Sequence, residues 1–171
     1  MKPELRFGLI LGGMFAAFPL LLFVLGLDKE KSIQSVSTFV NLAITITVLY
    51  FAIRDRRDQE GKGFMSLGEG FGRGFKVSLV GAFISTISSY AYFNWINPGI
   101  IDFMRLQQEE ELIARGASDA EVEQAMKVME NWMSPNVMIV VGFFAIILLC
   151  LVISLILAAV LKKEDPSAEI S

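Results

Sequence analysis

Three groups of side chains in this 171-residue chain have types and spacing that suggest chemistry. The run Glu109-Glu110-Glu111 suggests a metal or an acid–base pair. Glycine at every second position in Ser66-Leu67-Gly68-Glu69-Gly70-Phe71-Gly72-Arg73-Gly74-Phe75 suggests a phosphate cradle, and Gln34, Thr38, Asn41 and Thr45 suggest a polar path through an apolar segment. Helical geometry disposes of the first, because three successive residues point in three directions and form a solvated acidic face. Weak calcium binding or a basic partner is the lesser alternative there. The glycine spacing refuses the second: a dinucleotide fingerprint needs glycine at positions one, three and six, and position six is Arg73 counted from Gly68 and Phe75 counted from Gly70. Neither a preceding strand nor a glycine-lysine-serine ending is present.

The chain has no histidine, which removes imidazole metal ligands, general bases and a neutral-pH switch. Its one cysteine, Cys150, lies deep in an apolar run and can form no internal disulfide. With no nucleophile beside a base, the expectation is a chain that is not an enzyme and takes neither cofactor nor metal.

The same glycines make better sense as packing surfaces. Ser66, Gly70, Gly74, Ser78 and Ala82 recur every four residues, and Gly8, Gly12 and Ala16 do so near the amino end, followed by Pro19. Such faces let two helices approach closely in a bilayer, where dispersion replaces hydrophobic drive. They predict two tight helix contacts, either inside one bundle or with another subunit. The proline frees the Phe15 carbonyl and bends its helix. The polar stripe centred on Asn41 is answered by Ser78, Ser85, Ser88, Ser89 and Tyr92. Interhelical hydrogen bonding or the lining of a hydrated path would each use these groups, and every Asp and Glu lies outside the apolar runs, which weighs against a coupled transporter.

The elements that must position these residues are four apolar stretches without charge, at about 7–27, 32–53, 77–96 and 137–161, each long enough to cross a hydrocarbon core of roughly 30 Å as a helix. A hydrophobic content of 54% and a mean hydropathy of +0.56 agree. The predicted fold class is all-α, an integral membrane four-helix bundle in a single domain over 1–171. An extramembrane helical hairpin at about 100–133 separates spans three and four, and a disordered tail runs from about 163 to 171. The first stretch is too long for a signal-peptide core and reads as a retained helix. Asp28 to Lys31 is a tight turn, and Gly61-Lys62-Gly63 breaks the charged extension of the second span.

In the hairpin, Gly116 ends a first helix, Ser118 and Glu121 have capping-box spacing, and Val122, Ala125, Met126, Met129 and Met133 form a stripe that Phe103, Leu106 and Ile113 could face; the pair either closes on itself or rests on the outer membrane surface.

Ten lysines and arginines fall on the side holding both termini and the second connection, against five on the other. That places both termini in the cytoplasm. A net charge of -3 gives no reason to expect nucleic acid.

Two stretches carry a family resemblance. Phe64-Met65-Ser66-Leu67-Gly68-Glu69-Gly70-Phe71 with Gly74-Phe75-Lys76-Val77, and Tyr92-Phe93-Asn94-Trp95-Ile96-Asn97-Pro98, resemble the bacterial family called domain of unknown function 4199. Its plan matches along nearly the whole chain. The resemblance implies a small multi-pass inner-membrane protein of Bacteroidetes-type bacteria and brings no activity or site residues.

The leading functional expectation is therefore a non-catalytic accessory, assembly or interaction subunit. Its environment is the lipid bilayer, its partner is another membrane protein or further copies of itself, and Gly8, Gly12, Gly70, Gly74 and Asn41 serve helix packing or interaction. The alternative is a small oligomeric permease or channel with the Asn41 stripe facing a path.

Overall fold

The computed structural model describes residues 1–164, and among these the regular structure is helical: α1 (Pro3–Val24), α2 (Lys31–Asp55), α3 (Leu67–Ala91), α4 (Ile100–Ala114), α5 (Asp119–Trp132) and α6 (Pro135–Leu161). Proline stands in the first turn of α1 and α6, where its missing N–H costs nothing. Capping boxes open α3 at Ser66 and α5 at Ser118. α2 and α3 each run on into a wider turn, Arg56–Glu60 and Tyr92–Ile96, closed by hydrogen bonds from the Gly61 N–H to the Arg56 carbonyl and from Asn97 to Tyr92. Lys62 (φ 50) and Gly63 (φ 94) then reverse the chain into α3.

Three helices are long and apolar enough to cross a membrane: Pro3–Val24, Lys31–Glu60 and Pro135–Leu161. They coincide with three of the four expected stretches. The first ends earlier than expected, at Val24 and not at residue 27, because Gly26 (φ 69) turns the chain and the Leu27 N–H bonds back to Leu22. The stretch 77–96 falls on α3 and its closing turn, whose glycines and serines dilute the apolar content.

α3, the one long helix among the described residues that falls short of a span's apolarity, is the hub. α3 packs most closely on α6 and on α1, while α2 touches all three. Its buried residues are mostly small: Gly70, Gly74, Ser78, Gly81, Ala82 and Ser85, beside Val77 and Arg73. A helix in the middle of a bundle must let neighbours approach on several sides, and small side chains permit it.

The core gathers at one end, where Phe7 and Leu11 of α1, Val48, Leu49 and Ala52 of α2, Val77 of α3, and Cys150 and Ile153 of α6 meet. Beyond Gly12 in α1 and before Thr45 in α2 no residue is buried. At the opposite end one polar latch joins two connections: the Asn97 amide donates to Asp28 (2.7 Å) and to the Tyr92 hydroxyl (3.0 Å).

The α4–α5 pair turns at Gly116 (φ 83), and the stripe expected on α5 is its covered face, with Ala125, Met126, Met129 and Met133 half-buried, but the partner stripe expected on α4 is largely open. Val122 is buried, whereas Leu106 and Ile113 are 59% and 57% exposed. A groove of about 580 Å³ remains between the helices, lined by Ile113, Val122 and Met126 of the expected stripes together with charged side chains such as Arg105, Glu109 and Glu123. The tail expected to be disordered from about 163 is held at its first residue. Lys163 exchanges two backbone hydrogen bonds with Met65, at 2.8 and 2.9 Å, and the rest, from 165 on, lies outside the described residues.

Candidate functional site

Gly8 and Gly12 lie against α3. A Cβ on Gly8 would stand 2.5 Å from Val80 Cβ, and one on Gly12 would stand 2.6 Å from Ile84 Cβ. Gly70 and Gly74 lie against α6: a Cβ on Gly70 would meet Ala158 Cβ at 2.9 Å, and one on Gly74 would run into the Ser154 side chain. The two glycine faces singled out in the sequence are thus used inside one chain, and they do not meet each other. α1 seats on the Val77–Val80–Gly81–Ile84 side of α3, and α6 on the Gly70–Gly74 side. Gly81, Ser154 and Ala158 complete these seams; each belongs to a small-residue series of its own, Gly81-Ser85-Ser89 or Cys150-Ser154-Ala158, which the sequence reading did not single out as a packing face.

Asn41 is half-buried on α2, and its carbonyl accepts a hydrogen bond from the Thr45 hydroxyl (2.8 Å). Four further hydroxyls on α2 and α3 behave alike, while the buried Ser154 hydroxyl on α6 has no partner among the described residues. Ser37 donates to Ile33, Thr38 to Gln34, Ser78 to Gly74 and Thr86 to Ala82, each one turn back on its own helix. Bonding across helices, expected for these stripes, is not how these hydroxyls are satisfied. Of the acidic run, Glu111 pairs with Arg115 at 2.9 Å on the same helix.

Chemistry-bearing groups converge elsewhere, at the end of the bundle where the core is closed. The Ser66 N–H and hydroxyl both reach Glu69 Oε2, at 2.9 and 3.0 Å, while the Glu69 N–H donates to Ser66 Oγ. Those two bonds from Ser66, and then the Arg56 guanidinium 2.6 Å from Oε1, hold the Glu69 carboxyl below its ordinary value against a smaller opposing effect of burial. One turn on, Arg73 is 3% exposed. Its Nη2 pairs with Glu60, and its Nη1 stands 3.8 Å from Glu4 Oε2, beyond hydrogen-bond reach. Lys76 reaches Glu4 Oε1 at 3.8 Å.

These side chains, with Gly68 and Gly72, line a cleft of about 340 Å³. Three cations and three carboxylates share it, so its net charge is close to zero. The wide turn Arg56–Glu60 brings Glu60 to it and α1 brings Glu4; neither was singled out in the sequence, since each reads locally as a solvated helix end. One signal did exist for Arg73: it stands three residues after Gly70 and four before Val77, on the buried face of α3.

Among comparisons with known proteins, a family model described as "Protein of unknown function (DUF4199)" matches residues 6–163. No curated protein matches, and no solved structure matches.

Proposed function

We propose that this chain, which belongs to the DUF4199 family of proteins of unknown function, is a four-span inner-membrane protein acting as a non-catalytic accessory, assembly or interaction subunit, with both termini in the cytoplasm. α3 serves as the remaining span. Its Leu79, Phe83 and Ile87 recur every four residues on the exposed side, Phe83 at 63%, as a lipid-facing stripe would. α1 and α6 cover the small-residue remainder. The ion-paired end, rich in arginine and lysine, is the cytoplasmic one. α4 and α5 then form an acidic pair on the outer side.

The observation that carries the non-transporting reading is the self-satisfaction of the hydroxyls. A permeation path needs polar groups turned into shared space, whereas Ser37 and Thr45 of α2 and Ser78 and Thr86 of α3 bond back to their own helices. One feature favours the alternative, a small oligomeric permease or channel: a pocket of about 170 Å³ between α1 and α3, lined by Ser88, Ser89 and Tyr92 with Pro19 and Phe93. It belongs to the half away from the closed core, where Leu11, Leu49 and Val77 are fully buried.

Crosslinking in the native cell, followed by mild-detergent purification and mass spectrometry, tests the proposal. One stoichiometric membrane partner is the expected result. Purification of the chain alone, together with solute flux in proteoliposomes that disappears in Asn41→Leu, would replace the accessory reading with the permease.

A further inference from the structure

The glycines at 68 and 72 have no packing reason to be glycine. A Cβ at either would meet nothing within 4 Å, in contrast to Gly70 and Gly74 two residues away, yet glycine in a helix costs stability relative to alanine. Both sit on the floor of the charged cleft. The missing side chains leave the backbone of the first turns of α3 open to a ligand, at a helix end that favours an oxyanion.

A second observation points the same way. Arg73 lines the cleft, is 3% exposed, and its Nη1 has no hydrogen-bond partner among the described residues. A buried guanidinium donor without an acceptor is expensive, and an oxyanion entering the cleft would supply one.

The charge balance then selects the ligand. A simple anion would leave this balanced cleft with an excess of negative charge, and a simple cation with an excess of positive charge. A zwitterion does neither, since its phosphate can add to the arginine and lysine side while its ammonium adds to the carboxylates.

We propose that this cleft binds a phosphate joined through a short carbon chain to a primary ammonium, the chemistry of an aminophospholipid headgroup or of the free phosphorylated amino alcohol. The lipid source rests on the proposed reading of the chain as spanning the bilayer, which sets the cleft at the interface where headgroups lie.

The test uses the full chain, reconstituted in vesicles of equal parts phosphatidylethanolamine, phosphatidylglycerol and phosphatidylcholine, re-extracted, and analysed by native mass spectrometry. Phosphatidylethanolamine should be enriched roughly fivefold over either other lipid. Gly72→Leu, which fills the cleft floor from a position where an added Cβ meets nothing within 4 Å, should abolish the enrichment, and Gly13→Leu, equally open at Cβ but on α1, should leave it intact. Lys76→Gln should lower it about threefold; that side chain is 66% exposed, so the variant decides the matter if Gly72→Leu does not fold. Displacement of the lipid by millimolar O-phosphoethanolamine, but not by inorganic phosphate, would assign the site to the soluble compound, and resistance to both would assign it to the lipid. Equal retention of the three lipids, or unchanged enrichment in a folded Gly72→Leu, overturns the proposal. Alkaline extraction of the source membranes separates the two readings: a chain that stays in the membrane without enrichment loses the cleft ligand only, and one that is extracted loses the spanning reading.

Discussion

α3 carries the same residue at the same spacing on two opposite faces, and the two pairs of glycines have different reasons to exist. Gly70 and Gly74 are pressed against α6, where a single added carbon would collide with Ala158 or Ser154. Gly68 and Gly72, a half-turn away, face open space beside six charged side chains. Spacing alone therefore identifies a face and says nothing about what covers it. On one face the missing side chain is a condition of folding; on the other it lowers helix stability and clears room.

The largest expected effect comes from closing the first face. Gly74→Leu should destabilise the protein by about 3 kcal/mol or more through overpacking against Ser154 and Ile53, read as a lower midpoint in detergent-mediated unfolding. An unchanged midpoint would erase the distinction between the faces.

Next is the charge standing beside them. Arg73→Met removes a buried guanidinium from Glu60 and Glu4, which are far enough exposed to rehydrate, so the loss should be about 2 kcal/mol in the same assay and less than for a fully buried pair. Ser66→Ala, which removes the cap common to both faces, should cost about 1 kcal/mol.

That cap also has a pH signature. Glu69 is held below its ordinary value of 4.5, so its contribution is complete above that value and is lost as pH falls through the lower value of the folded state. Amide exchange in the first turn of α3 should accelerate as pH drops below 4.5, after correction for intrinsic rates, and Ser66→Ala should flatten the response.

The smallest effect has the opposite sign. Gly72→Ala should stabilise the protein by about 0.5–1 kcal/mol, because it removes the helix penalty without meeting a neighbour. Destabilisation on that substitution would show that the open face is packed after all.

Helix ends were legible where local chemistry punctuates them, at the Ser118–Glu121 box and at Gly116, and were missed at Gly26, which turns the chain inside the stretch expected to run to residue 27. The Gly8–Gly12 and Gly70–Gly74 faces were legible for the same reason, since helical period alone aligns them. Their partners were not. α1 meets α3 at Val80 and Ile84, residues with no small-residue signature of their own, and the four-residue series Cys150, Ser154 and Ala158 of α6 is masked by a run that is apolar all round. Hydroxyl groups misled in a similar way, because a serine or threonine on a helix can satisfy itself one turn back, so Thr45 and Ser78 carry no information about a neighbour. The charged cleft escaped notice since Glu4, Glu60 and Arg73 are 13 to 69 positions apart and only the fold makes them adjacent.

The seating of α3 between α1 and α6 also sets an order of events during synthesis. Its first partner has been made before α3 leaves the ribosome, and its second is complete only after residue 161. Throughout the translation of the intervening residues the Gly70–Gly74 groove lacks the α6 residues that fill it, and the bonds between Met65 and Lys163 can form only once residue 163 has been made. A chain halted before α6 would hold a half-built seam, and that interval is when a chaperone or quality-control protease would find a recognisable vacancy.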